Sequence, residues 1–198
     1  FDDLASYLKG GVQGAVIGRY ANRIGSNGSF PLEGRIVELD RRSGQTVVIH
    51  GGTAGFQNQL WQMAAMRGGA EPSLTLALVS PDGAGGFPGT LVVMVTYTLT
   101  SDNILRLDYR ARTDKPTIVN LTNHAYFNIG GEGSGDVSNE ILQVFADFYT
   151  PADSETLPTG EIAPVAGTPL DFRKPVRLGD VLGSDFPQIA MRKGLDVN

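Results

Sequence analysis

Leu105, Leu107, Tyr109 and Ala111 alternate with Arg106, Asp108, Arg110 and Arg112. That strict period of two is the pattern of an extended strand with one apolar and one wet face. The same alternation sets Val95, Tyr97 and Leu99 against Thr96, Thr98 and Thr100. Runs rich in Val, Ile, Leu, Thr, Tyr and Phe recur at 36–39, 46–49, 60–66, 73–79, 91–99, 104–112, 116–122 and 139–146. Between them lie the loop-forming stretches Ser80-Pro-Asp-Gly-Ala-Gly-Gly-Phe-Pro-Gly89, Thr100-Ser-Asp-Asn103 and Gly130-Gly-Glu-Gly-Ser-Gly135. Glycine supplies 26 of 198 residues, enough for many tight turns. Short strands at close spacing with almost no helix predict an all-β chain, a sandwich or barrel of mainly antiparallel sheets.

Local signals refine this expectation. Asn27-Gly28, between Ile24 and Phe30, predicts a hairpin, because both central positions of a type I′ turn need positive φ. Residues 2–8 predict a short helix, capped by Asp2 or Asp3, with Leu4, Tyr7 and Leu8 on one face. The prolines of 147–172 exclude that segment from a central strand, so it is expected to wrap an edge or cross between sheets. Leu178 to Leu182 is expected to form one helical turn. No repeat or linker divides the chain, which reads as a single domain over 1–198.

Several functions are disfavoured by inventory. A formal charge of -5 does not suit nucleic acid or an anionic membrane as partner, so a neutral or polar small molecule is expected. The chain carries no cysteine, hence no disulfide and no thiolate nucleophile. Its two histidines, His50 and His124, are far apart in sequence, and no metal site is expected. There is neither a G-x-S-x-G elbow nor a glycine loop ending in G-K-[ST]. Glu161, in Pro158-Thr-Gly-Glu161, reads as part of a solvated turn, and Asp171 as capping its own turn. No convincing pair of facing carboxylates is nominated for glycoside hydrolysis. Neither compartment nor oligomeric state follows from the composition: cytoplasmic and, after removal of a leader, exported locations both fit.

The remaining chemistry is concentrated in two places. Asn120-Leu-Thr-Asn-His-Ala-Tyr-Phe-Asn128 sets His124 among amides, a hydroxyl and aromatics directly after a β-rich run, and His50 follows Val47-Val48-Ile49 and precedes Gly51-Gly52. An imidazole of ordinary basicity can exchange protons near neutral pH. Arg19-Tyr20-Ala21-Asn22-Arg23-Ile24 adds donors for hydroxyl oxygens and an apolar face from Tyr20, although such a run also reads as an edge strand with two solvated arginines. Histidine, arginine and amides on a β scaffold suit a hydroxyl-rich ligand such as a sugar.

Gly18-Arg-Tyr-Ala-Asn-Arg-Ile24, His50-Gly-Gly52 with Gly55-Phe56 and Trp61, Gly86-Phe-Pro-Gly89, Asn120–Asn128, and Pro158-Thr-Gly-Glu161 leading to Gly167-Thr-Pro-Leu-Asp-Phe172 occur in one order along the chain. Together they resemble the aldose 1-epimerase (galactose mutarotase) family over nearly the whole length. The resemblance implies a large antiparallel β-sandwich and a cofactor-free interconversion of α and β anomers of free aldohexoses. It implies His124 as the general acid that protonates the ring oxygen and His50 as the second histidine holding the same region. Asn22, Arg23, Tyr126 and Asp196 correspond to sugar-binding positions. The family's general base is a glutamate beyond the Gly-x-Asp motif, and no glutamate of this chain matches it. The chain also has Val197 where many members carry His after the aspartate. The domain is accordingly expected to be incomplete at both ends. Two alternatives stay open: a non-catalytic sugar-binding module, and a relative acting on hexose 6-phosphates, for which the site motifs supply only Arg19 and Arg23 as cations.

Overall fold

The computed structural model describes residues 3–8 and 11–196. They group into two compact units, Phe1–Ala125 and Tyr126–Asn198. In the first, helix α1 (Leu4–Leu8) is capped by Asp3, whose carboxylate accepts the Ser6 N–H at 2.6 Å. Asp2, the other expected cap, lies outside the described residues, as do the side chains of Tyr7 and Leu8. Short strands β1 (Val16–Ile17), β2 (Arg23–Ile24), β3 (Ser29–Leu32), β4 (Arg35–Glu38) and β5 (Val48–Ile49) follow. Then come the long strands β6 (Gln62–Arg67), β7 (Ser73–Ser80), β8 (Leu91–Leu99) and β9 (Leu105–Thr113), and finally β10 (Thr122–Asn123).

Strands β6 to β9 form an antiparallel meander in sequence order. Alternation gives it an inner face at one end: Leu91, Val93 and Val95 are buried while Val92 and Met94 are exposed. Leu91 and Val93 pack with Phe56 and Leu78, flanked by Trp61 and Leu121. Towards the other end of β8 the pattern inverts, with Thr98 buried and Leu99 exposed. A second cluster, Ile24, Val37, Leu39, Val48 and Phe87, ties the β3–β4 hairpin to the β2–β5 pair.

The expected hairpin at Asn27-Gly28 is a turn that joins no paired strands. Ser26, Asn27 and Gly28 all take positive φ, but β2 pairs with β5 and β3 with β4. Gly28 is needed there because a Cβ would come 2.6 Å from Val48 Cγ2. The two-residue hairpin turn is Glu33-Gly34, at φ 47 and 76, as type I′ requires. Residues 116–122 were expected as a strand. They are largely irregular, contributing a parallel bridge from Asn120 to Tyr20 and the start of β10.

In the second unit, β11 (Ile141–Leu142) pairs with β14 (Val176–Arg177) and β12 (Phe148–Tyr149) with β13 (Ala163–Pro164), all antiparallel. The expected strand at 139–146 shrinks to β11, and 147–172 doubles back on itself through the β12–β13 pair. The turn at Leu178–Asp180 and helix α2 (Pro187–Ala190) flank a core of Leu170, Phe172, Val181 and Ile189. Glu161 is exposed in a turn closed by its N–H on Thr159 Oγ1 at 3.2 Å, as read from the sequence. Asp171 is taken up mainly by Arg173, at 2.8 and 2.7 Å, which holds its carboxyl below the usual carboxylate range.

Candidate active site

One segment of the first unit, residues 14–24, aligns both histidines. At its start, Gly14 N–H donates to His124 O at 3.0 Å and His124 N–H donates to Ala15 O at 2.9 Å, continuing the β1–β10 ladder. In its middle, Asn120 N–H donates to Arg19 O and Ala21 N–H to Asn120 O, at 3.0 and 2.8 Å. At its end, Arg23 lies opposite Ile49, and His50 N–H donates to Asn22 O at 3.0 Å. Two sequence-distant imidazoles are thus registered against a single strand-like strip. Their ring centroids are 5.2 Å apart, edge to face at 88°.

His50 is held closely. The Asn22 N–H donates to His50 Nδ1 at 3.1 Å, which makes Nδ1 an acceptor and leaves the proton of the neutral ring on Nε2. Asn22 and His50 both occupy the left-handed region, at φ 62 and 54, a strain that the paired bonds between them sustain. Gly51 follows at φ 79, and a Cβ on it would stand 2.0 Å from Gly18 O, so only glycine lets the two chain segments meet there. Asn22 Oδ1 accepts from Arg23 Nη1 at 2.9 Å. The expected sugar-binding asparagine therefore also orients the neighbouring guanidinium. His50, His124, Asn22 and Arg23 are all partly buried, neither sealed from solvent nor fully in it.

Arg19 has a different fate from the solvated edge residue, or ligand donor, that its motif allows. It is 1% exposed. Its Nη1 donates to Pro88 O and Gly89 O, both at 2.8 Å, and its Nη2 to Ser80 Oγ at 2.8 Å. The guanidinium also stacks over Phe87, 5.5 Å from the ring centroid. Burial pushes its pKa down, opposed by the fields of Asp82 and Asp114. Arg19 thus staples the 80–89 loop to the strip carrying the site, a role no local sequence signal announces.

Tyr126 and Asp196 belong to the second unit. Tyr126 is 70% exposed, and Asp196 accepts from Arg192 Nε at 2.8 Å. The geometry therefore brings four of the six expected residues together, all in the first unit.

A family model described as aldose 1-epimerase matches residues 1–198. The chain is 45% identical over 180 residues to the galactose mutarotase of Sus scrofa, covering 90% of this chain and 51% of that protein. It is 42% identical over 186 residues to the aldose 1-epimerase of Escherichia coli K12, covering 94% and 49%. A crystal structure of galactose 1-epimerase from Lactobacillus acidophilus matches the fold with a TM-score of 0.88 at 36% identity, over 99% of this chain and 57% of that one. The chain spans about half the length of the curated relatives it matches.

Proposed function

We infer the function from one premise: the chain belongs to the aldose 1-epimerase family. The reading is an isomerase that interconverts the α and β anomers of free aldohexoses, galactose and glucose among them. The observation that carries it is the edge-to-face pair of His50 and His124, with Asn22 and Arg23 registered beside them.

Mutarotation is a pair of proton transfers around one bond. His124 delivers a proton to the ring oxygen as C1–O5 breaks, and the anomeric hydroxyl gives its proton to a general base, a glutamate in the family pattern, as C1 becomes an aldehyde. Rotation about C1–C2 and closure from the other face reverse both transfers. His50, with its proton on Nε2, donates a hydrogen bond to the same region of the sugar. Arg23 and Asn22 bind the hydroxyls. No residue of this chain is assigned as acceptor of the anomeric proton, and no cofactor enters the scheme. Of the two cations in the site motifs, Arg19 is committed to the 80–89 loop, which leaves Arg23 to face a ligand. That favours a free sugar over a sugar phosphate.

Polarimetry of freshly dissolved α-D-galactose with the natural protein tests the reading. Accelerated decay of rotation is expected, lowered by ~10²–10⁴ in a His124→Asn variant. Binding of galactose with no acceleration would replace the enzyme by a sugar-binding module.

A further inference from the structure

Asn123 immediately precedes His124, yet its side-chain amide bonds to the backbone of Gly14 and Ala125. Its Nδ2 donates to Gly14 O at 3.2 Å, and its Oδ1 accepts from Ala125 N–H at 2.9 Å. The backbone groups of His124 are bonded to the same strip, its O accepting from Gly14 N–H and its N–H reaching Ala15 O. The Asn123 amide therefore closes a ring of hydrogen bonds around the His124 backbone, from Gly14 on one side to Ala125 on the other. Burial pushes the Tyr97 phenol on β8 up in pKa, and a hydrogen bond with Asn123 opposes that shift.

We propose that Asn123 is a positioning residue for His124, fixing the direction of its imidazole through the Gly14 and Ala125 bonds without touching the sugar. The proposal rests on the reading that His124 protonates the ring oxygen. An imidazole whose backbone can pivot delivers its proton along the wrong line, and misplacement by an ångström costs about 10²-fold in rate. Sugar binding, carried by other residues, is spared.

The test uses Asn123→Ala and Asn123→Asp in the natural protein. Steady-state polarimetry gives kcat and KM, and nitrogen-edited NMR reads the imidazole signals of His124 and His50. Asn123→Ala is expected to lower kcat by about 10- to 100-fold while KM moves less than about threefold. The His124 ring signals should shift or broaden while those of His50 hold. Asn123→Asp keeps the acceptor for Ala125 but turns an oxygen towards Gly14 O, so it should show the same split to a smaller degree. If Asn123→Ala fails to fold, the Asp variant decides by the same two readouts. Unchanged kcat with unchanged His124 signals would overturn the proposal. Should the natural protein not accelerate mutarotation at all, the functional reading falls, and the NMR comparison alone still decides whether Asn123 positions His124.

Discussion

Arg19 and Arg23 share one short motif and part company in the fold. The first is sealed under the 80–89 loop, and the second stands beside the histidine pair with Asn22 on its guanidinium. A planar fork that feeds several carbonyl and hydroxyl oxygens at once cannot be replaced by an ammonium. Arg19→Lys is therefore expected to cost about 2–4 kcal/mol in urea unfolding, since buried acceptors lose their donors at about 1–3 kcal/mol each. The KM of the folded fraction should hardly change. Arg23→Lys should do the reverse, leaving the unfolding midpoint nearly unmoved and raising KM. An Arg19→Lys protein as stable as its parent would show that the staple is dispensable. The residue types of the site were legible in the sequence because His, Asn and Arg beside glycine are poor core formers, and their placement at strand ends needs a reason. Which arginine goes inside was not legible. That choice is made by Pro88 and Gly89, 69 and 70 positions away along the chain.

At the scale of elements, Asn27-Gly28 and Glu33-Gly34 show what local sequence encodes and what it leaves open. Both dipeptides adopt positive φ, yet only Glu33-Gly34 joins paired strands. Pairing is decided by burial: β2 packs Ile24 against Val48 and Phe87, so it leaves β3 to β4 and takes β5 as partner. The alternation of β8 and β9 was legible for the same reason that two-residue strands such as β1 were not. A period needs several residues to declare itself. No heavy atom stands within 4 Å of a Cβ built on Gly34, so Gly34→Ala should cost only the conformational ~1–2 kcal/mol of a left-handed alanine. Glu33→Asn should gain about 0.5 kcal/mol, because asparagine tolerates that region better. Thermal unfolding of the two variants checks both signs. The 80–89 loop adds a pH test. Asp82 pairs with Lys115 and accepts the Gly89 N–H at 2.6 Å, and both contacts hold its carboxyl below the usual range. A folded-state pKa below the unfolded ~3.9 means the stabilisation is complete above that value and is lost as pH falls through the folded pKa. Asp82→Asn should therefore unfold more easily than the parent near neutral pH, with the gap closing only in acid below about pH 4. A gap that persists unchanged at about pH 2 would mean that charge is not what Asp82 contributes.

Over the whole molecule, apolar surface is unevenly placed. Met66, Leu99 and Leu105 are 73%, 48% and 55% exposed, and with Leu74, Tyr97 and Pro72 they line an open groove of about 450 Å³ at one end of the long sheet. Contiguous apolar surface of this kind favours association, because burying it against a second copy removes it from water. These 198 residues studied alone are therefore expected to self-associate with rising concentration, as light scattering would register. The formal charge of -5 opposes that contact at neutral pH and vanishes near the pI of about 5.0, so association should strengthen as pH is lowered towards it. Replacing Leu99 and Leu105 together by threonine keeps the strand preference while removing much of the groove's apolar lining. If the groove drives association, the double variant stays monomeric at both pH values. If loss of charge repulsion is the whole cause, the double variant associates near its pI as readily as the parent, and the groove has no part in it.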